Sequence, residues 1–192
     1  MRVVSLLIAI MAAQGTVTDW RKAPFPGMLA IPASAGEPIP AIATVKYRSN
    51  GYFLTQCEIT VSSGDPVADP QACRTLSFRK TRIPLIAEAR VWKSPPFDGN
   101  FVRPFALTDP GKWIGFEDYP TTFAQGTVTL RFDLDTAGVT KLCDIIGSSN
   151  SSSIDRIVKT TVCKRAKFSP ASIDGKPVAS IVITSIRMYS GR

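Results

Sequence analysis

The sequence contains no histidine, and this absence removes several classes of enzyme at once. Ser-His-Asp and Cys-His mechanisms both need an imidazole as the general base. A zinc site is poorly supported, because the four cysteines form no C-x-x-C motif and no histidine ligand exists. Carboxylate pairs such as Asp133 with Asp135, or Glu117 with Asp118, are better explained by turn chemistry than by acid–base catalysis. We therefore predict a protein that is not an enzyme and that binds no cofactor or metal.

Long hydrophobic runs are also missing. The longest apolar run, Val3 to Ala13, contains eleven residues, whereas a membrane-spanning helix needs about 20. This run follows the positively charged start Met1-Arg2 and is followed by small residues, as in a secretory signal. We predict that residues 1–15 are a cleavable signal peptide, that the mature chain has no membrane span, and that it is located in the periplasm. An uncleaved N-terminal membrane anchor is the alternative.

Basic residues outnumber acidic ones, with 23 Lys and Arg against 15 Asp and Glu and a net charge of +8. Such a surface suits contact with an anionic polymer or a membrane surface. Export makes nucleic acid a poor partner, so peptidoglycan is the polymer to consider.

One short pattern of residues occurs twice. Residues 57–64 read C-E-I-T-V-S-S-G and residues 143–150 read C-D-I-I-G-S-S-N, at a shift of 86 positions. The same shift relates Asp69 to Asp155 and Pro84 to Pro170. Several matches at one offset indicate an internal repeat.

The second copy has the clearer pattern of secondary structure. Alternating apolar residues from Val128 to Leu134 predict a half-buried strand, and Val139 to Ile146 predicts its return across a tight turn. A helix with one apolar side follows from Ile154 and stops before Pro170. Pro177 to Met188 then predicts a final strand.

The first copy follows the same plan. Asn50-Gly51 predicts a two-residue hairpin turn, Asp69-Pro70 begins a helix that continues to about Arg82, and Leu85 to Trp92 predicts the closing strand. The predicted fold class is α+β, with two small ββαβ modules, each a short antiparallel sheet with a helix packed on one face. The predicted modules are residues 16–92 and 113–192, joined by a Pro-rich linker at 93–112.

Export favours oxidation of the four cysteines to two disulfide bonds. In each copy one cysteine lies on the returning strand and the other on the following helix, which must cover the sheet. We therefore predict the pairs Cys57–Cys73 and Cys143–Cys163, each worth about 3 kcal/mol in the chain-entropy model. A crossed pairing between the copies stays open.

The second copy resembles the TonB C-terminal domain family from about Trp113 to Met188. The resemblance is carried by D-Y-P at 118–120, which includes Tyr119 and Pro120, and by G-T-V-T-L-R-F-D-L-D-T-A-G-V-T at 126–140. It continues through S-S-N-S-S-S-I-D at 148–155, R-A-K-F-S-P-A at 165–171 and D-G-K-P-V at 174–178. The first copy matches more faintly and is interpreted as degenerate.

The resemblance implies a periplasmic module of a Gram-negative bacterium that acts in TonB-dependent transmembrane transport. Such domains bind a short box segment of outer-membrane receptors by strand addition. This chain departs from energy-transducing members, because it has no spanning helix and no long Pro-rich spacer. The departure affects the energy-transducing role and leaves the fold assignment in place.

The leading hypothesis is a module that binds a peptide of an outer-membrane receptor or of another periplasmic protein. The final strand comes last in the sequence and is expected at a sheet edge, where unpaired backbone groups accept an added strand. The alternative is that this strand is central or is covered by the other copy. The residues predicted to form the peptide-binding edge are Val178, Ser180, Ile181, Val182, Ile183, Thr184 and Ile186.

The second hypothesis, from a different class, is an adaptor that binds peptidoglycan through basic residues in or after the two helices. An ordinary solvated helix face explains such residues equally well. The residues concerned are Arg74, Arg79, Lys80, Arg82, Lys159, Lys164, Arg165 and Lys167.

Overall fold

The computed structural model describes residues 28–50, 54–65, 68–76, 80–119 and 124–190. The predicted signal peptide, the Gly51 position of the first hairpin turn and Pro120 lie outside these residues. Within them the chain forms strands and two α-helices, numbered here in chain order. The strands are β1 (Leu29–Pro32), β2 (Ile39–Ser49), β3 (Leu54–Val61), β4 (Leu85–Lys93), β5 (Phe101–Val102), β6 (Ala124–Leu134), β7 (Thr140–Gly147), β8 (Ala171–Ile173), β9 (Lys176–Val178) and β10 (Ser180–Ser190); the helices are α1 (Asp69–Thr75) and α2 (Ser152–Arg165).

The strands form three antiparallel sheets, and the fold is α+β. The largest sheet has the order β1-β10-β6-β7, the second has the order β3-β2-β4, and the smallest has the order β5-β8-β9. In each of the two larger sheets a hairpin is followed by a helix and then by a strand that pairs with the first strand of the hairpin. The two halves of the chain therefore have the same order of strands around their helices.

The core of the C-terminal half lies between α2 and the β10-β6-β7 sheet. The apolar side chains that alternate along β6 are buried, as the sequence predicted, and α2 buries one side chain per turn against them. Thr127 and Thr129, on the other face of β6, are buried as well. Aromatic rings complete this core: the ring centroids of Phe132 and Phe168 are 5.0 Å apart, and those of Trp113 and Phe168 are 5.9 Å apart. The buried apolar side chains that β6 and α2 contribute to this core are Val128, Leu130, Phe132, Leu134, Ile154, Val158 and Val162.

The turn from β6 to β7 needs glycine at one position. Gly138 has φ +78°, and a Cβ there would lie 2.7 Å from the Phe168 carbonyl oxygen. Both the positive φ and the close approach favour a residue without a side chain. Asp135 completes the turn by accepting hydrogen bonds from the N–H groups of Ala137 and Val139, both at 2.9 Å.

The core of the N-terminal half is smaller. One face of β2 and β4 packs on α1, through residues that include Val45, Val91, Ala72 and Leu76. The predicted helix from Asp69 to about Arg82 is too long, because α1 ends at Thr75 and Leu76 is extended, with ψ 130°. Leu76 is buried in the core, so the chain turns inward there and ends the helix.

The predicted linker packs along the C-terminal half. β5 pairs with β8, the Leu107 N–H donates to the Lys167 carbonyl at 2.8 Å, and the Ser169 N–H donates to the Phe105 carbonyl at 2.9 Å. Phe101 and Ala106 contact the main core. This segment is thus a structural part of the C-terminal half and not a free tether.

Candidate peptide-binding edges

The predicted final strand is two strands in the structure. Val178 belongs to β9, which pairs with β8 in the smallest sheet. Ser180 begins β10, which pairs with β6 along its whole length. The prediction that placed Val178 on the same strand as Ser180 is wrong, because the tight turn at Asp174-Gly175 closes a separate short hairpin before the chain enters the main sheet.

The first part of β10 is not a free edge. β1 pairs with it on the side away from β6, in the register Leu29 with Ile183, Ala30 with Val182, Ile31 with Ile181 and Pro32 with Ser180. The prediction of an open edge at residues 180–183 is therefore wrong. β1 was not predicted from the sequence, because its four residues are buried on both sides and show no alternation.

Two kinds of contact connect β1 and the residues after it to the largest sheet. Leu29 and Ile31 pack in a separate apolar cluster with Ile181, Ile183 and Trp92. Just after β1, Glu37 forms an ion pair with Arg131 of β6, and the second Arg131 nitrogen donates to the other Glu37 oxygen at 3.0 Å. Hydrogen bonding from Arg131 lowers the pKa of Glu37.

The rest of β10 has an open side. Within the described part of the chain no strand pairs with residues 184–188 on the side away from β6. The Ala33 N–H donates to the Ala179 carbonyl at 2.9 Å, so odd-numbered residues of this strand direct their backbone groups toward the β1 side. Ser185 therefore presents its backbone N–H and C=O to the open side. Of the predicted edge residues, Thr184 and Ile186 lie along this stretch, but their backbone groups pair with β6.

A disulfide bond ties each helix to its sheet. The structure joins Cys57 to Cys73, with the Cα atoms 6.1 Å apart, and Cys143 to Cys163, with the Cα atoms 5.8 Å apart. Each bond links the second strand of a hairpin to the helix that follows it. Both helices are thereby fixed over one face of the adjacent sheet.

A serine–aspartate cluster precedes α2. Asp155 accepts hydrogen bonds from the Ser149 N–H at 2.9 Å, from the Ser149 hydroxyl at 2.7 Å and from the Ser148 hydroxyl at 2.6 Å. The N-cap residue of α2 is Ser151, and the Asp155 carboxylate reaches back to the loop before the helix. Burial raises the pKa of Asp155, but these hydrogen bonds outweigh it and the net pKa lies below 3.8.

The same cluster precedes α1. Asp69 accepts from the Ser63 N–H at 2.8 Å and from the Ser63 hydroxyl at 2.7 Å, and the Gly64 N–H donates to the Ser62 hydroxyl at 2.9 Å. Burial again raises the pKa of Asp69, and the serine hydrogen bonds bring it below the ordinary value. The repeated serines and aspartates of the sequence thus have the same contacts in both halves.

Tyr119 is half-buried and packs against the core of the C-terminal half. Trp113 lies inside that core and donates from its indole nitrogen to the Thr108 hydroxyl at 2.8 Å. Trp92, by contrast, belongs to β4 and packs on Leu29 and Ile183 of the largest sheet. The two tryptophans near the linker therefore make different contacts, and Trp92 is one of the residues that pack between the two halves.

Part of the proposed basic surface is used within the molecule. Lys159 forms an ion pair with Asp144, and Arg165 donates to Asp118 at 2.6 Å. Lys80, Arg82, Lys164 and Lys167 are exposed, whereas the Arg74 and Arg79 side chains lie outside the described part.

A cleft separates the two halves beside Trp92. Its volume is about 470 Å³. One wall is the outer edge of β4 together with Thr75 and Leu76 at the end of α1; the other wall is Thr127, Thr129, Gly147, Ser148 and Asn150. The Thr127 hydroxyl is buried and has no hydrogen-bond partner among the described residues.

Residues 122–188 match the model of the family described as Gram-negative bacterial TonB protein C-terminal. This part of the chain, which contains β6 to β10 and α2, therefore belongs to the TonB C-terminal domain family. No curated protein and no solved structure matches the chain significantly.

The family is a non-enzymatic interaction domain of transport proteins, and TonB proteins are periplasmic in Gram-negative bacteria. The match begins after the linker, so it includes none of the N-terminal half. No helix in the described part of the chain is long and apolar enough to span a membrane.

Proposed function

We propose that this is a TonB-like periplasmic protein that binds box segments of outer-membrane receptors by strand addition, in the context of TonB-dependent transport. Signal-mediated export delivers it to the periplasm. The partner peptide binds in an extended conformation and forms main-chain hydrogen bonds with a sheet edge of the C-terminal half.

The observation that carries this proposal is the open side of β10. β1 pairs with residues 180–183 only. β10 therefore continues past the last residue that β1 covers by more than one repeat of the hydrogen-bond pattern. Ser185 directs its N–H and C=O to this side. A peptide that adds here continues the line of β1 and needs no rearrangement of the β10–β6 ladder.

We also propose that the two halves descend from one duplicated ββαβ unit. The shared strand order, the strand-to-helix disulfide in each half and the two serine–aspartate clusters support this origin. The N-terminal copy has then lost the sequence features of the family, while the C-terminal copy has kept them.

Calorimetric titration with a synthetic seven-residue box peptide of an outer-membrane receptor tests the function. We compare the wild type with Ser185→Pro, which removes one outward N–H donor, and with Ser185→Ala, which keeps it. Proline is tolerated where its N–H would face away from the ladder. We expect Ser185→Pro to weaken binding at least about tenfold, the equivalent of 1.4 kcal/mol, and Ser185→Ala to bind as the wild type does.

Circular dichroism spectra of both variants provide the folding control. Equal affinities of Ser185→Pro and the wild type, or no binding by the wild type at millimolar peptide, would contradict the proposal.

A further inference from the structure

The outer edge of β4 is a second open sheet edge, in the N-terminal half. The sheet order is β3-β2-β4, and among the described residues no strand pairs with β4 on the side away from β2. The Trp92 carbonyl accepts a hydrogen bond from the buried Gln71 amide at 3.4 Å on that side. On the β2 side, Trp92 is opposite Pro40, which has no N–H to donate to it. Even-numbered residues of β4 therefore direct their backbone groups outward.

Three of these residues are exposed: Ile86, which is 71% exposed, Glu88 and Arg90. Exposed edge strands are normally blunted by a bulge, a proline or a covering element. β4 pairs with β2 without a register shift from Leu85 to Lys93. Its edge is thus regular, long and available for pairing.

The cleft of about 470 Å³ runs along this same edge. Ala87 and Ala89 leave room on the cleft side of β4, and Leu76 forms its floor. Thr127 lines the opposite side of the cleft; the residue is 6% exposed, and its hydroxyl is buried and has no partner within the described part of the chain. A buried hydroxyl without a partner costs free energy, and a polar group bound in the cleft would satisfy it.

We propose that the β4 edge and this cleft bind an extended peptide of a partner protein as an added antiparallel strand. This site is separate from the β10 edge and does not depend on the function proposed for it. The wall opposite β4 includes Thr127, Ser148 and Asn150. The hydroxyl-rich lining and the free ladder of donors and acceptors fit a peptide backbone better than an apolar small molecule.

The exposed side chains of β4 define the partner's pattern. Directly opposed side chains on adjacent strands interact, and opposite charges there are favourable. The bound peptide has an acidic residue opposite Arg90, a basic residue opposite Glu88 and an apolar residue opposite Ile86. The residues between them face the cleft and are small and polar.

The probe is the synthetic peptide acetyl-Thr-Asp-Ser-Lys-Ser-Val-Thr-amide, whose Asp, Lys and Val oppose Arg90, Glu88 and Ile86 in an antiparallel arrangement. Its matched control exchanges Asp and Lys. We titrate each peptide into the full-length, isotopically labelled mature chain, and we follow amide shifts and hydrogen exchange by NMR. We expect binding with a dissociation constant below about 1 mM, slower exchange of the Ile86, Glu88 and Arg90 amides, and weaker binding of the control peptide.

Two substitutions test the two parts of the site. Thr127→Val removes the hydroxyl that has no partner, so we expect unchanged or greater stability but about fivefold weaker peptide binding, as for one lost hydrogen bond. Glu88→Pro removes an outward N–H and weakens binding at least about tenfold. Glu88→Gln keeps that N–H and only reduces the preference between the two peptides, because Arg90 still favours the peptide with Asp opposite it. None of these substitutions lies on β10, so receptor box binding there stays unchanged.

Three outcomes overturn the proposal. The first is that neither peptide alters the exchange of the β4 amides at millimolar concentration. The second is that these amides are already protected in the free monomer, in which case a segment of the chain itself occupies the edge. The third is a dimer in analytical ultracentrifugation that Glu88→Pro dissociates, which assigns the edge to a second copy.

Discussion

The Asp155 carboxylate accepts a hydrogen bond from the Ser149 hydroxyl at 2.7 Å, and Asp69 accepts one from the Ser63 hydroxyl at the same distance. Both pairs connect the end of a hairpin to the helix that follows it. The contact thus fixes where each helix starts relative to its sheet. The serines involved belong to loops that show no catalytic motif in the sequence.

Asp155→Asn removes the charge from the second of these clusters and keeps its shape. We expect a loss of about 1 kcal/mol in the free energy of unfolding, since hydrogen bonds to charged groups exceed neutral ones and partial exposure reduces the difference. Because the pKa of Asp155 is depressed in the folded state, its contribution is present above the unfolded value of 3.8 and is lost as the pH falls through the folded value.

Urea denaturation between pH 2 and pH 7 measures this effect, with Asp69→Asn as the matched variant in the other half. Each substitution should flatten the decline in stability below about pH 4. Unchanged profiles in both variants would show that the clusters do not stabilise the fold.

The disulfide of the N-terminal half secures a weaker helix than its counterpart does. α1 has 7 residues and α2 has 14, and helices shorter than about 12 residues are marginal without tertiary support. Replacement of Cys57 and Cys73 by serine should cost about 3 kcal/mol and should release α1 selectively.

Hydrogen exchange of the α1 amides monitors this release. The matched double variant, in which Cys143 and Cys163 become serine, should lower global stability by a similar amount. It should leave α2 protected, because Ile154, Val158 and Val162 remain buried against the sheet. Equal exchange of α1 in the oxidised protein and in the first variant would contradict the expectation.

Local patterns in the sequence predicted the order of hairpin, helix and closing strand in each half, but α1 is shorter than predicted and the second closing strand is two strands, β9 and β10. Alternation along β6 and the apolar side of α2 depend on neighbours a few positions away, so they were readable. The position of β1 depends on pairing between Leu29 and Ile183, which are far apart in the chain. A four-residue apolar segment is too short to show a periodicity, so the sequence does not indicate which strand it pairs with. The prediction of an open edge at residues 180–183 was wrong for this reason.

The candidate sites likewise combine features that local sequence predicts with features that depend on contacts between distant residues. The repeat of serines and aspartates at one offset indicated that Ser149 and Asp155 are equivalent in the two copies to Ser63 and Asp69. It did not indicate that Ser149 and Asp155 form a hydrogen bond with each other. The Thr127 hydroxyl could not be singled out, because its lack of a partner depends on how the two halves pack. A regular strand at Leu85 to Trp92 was predicted, whereas the openness of its outer edge is a property of the assembled sheet.

β1 is expected to limit access to β10. Ile31→Asp places a charge in the cluster with Ile181 and Ile183 and should detach β1, at a cost of about 3 kcal/mol. The amides of Ile181 and Ile183 should then exchange faster, and the receptor box peptide should bind more tightly because the open edge has lengthened. Glu37→Gln removes only an exposed ion pair, so it should change both measurements little. Tighter packing of β1 in the Ile31→Asp variant, or weaker peptide binding, would contradict this role.

Trp92 joins the two halves, because this side chain of β4 is buried against Leu29, Ile31, Ile181 and Ile183 of the largest sheet. Trp92→Ala should cost about 3–5 kcal/mol, as large-to-small changes in cores do. Loss of this contact should also uncouple the halves, so that thermal unfolding by calorimetry separates into two transitions. Trp113→Ala is the control, since Trp113 packs on Phe132 and Phe168 within the C-terminal half: its loss should lower the melting temperature but leave a single transition, because Trp92 still couples the halves. A single transition in Trp92→Ala would show that the remaining contacts between α1 and the largest sheet suffice to make the two halves unfold together.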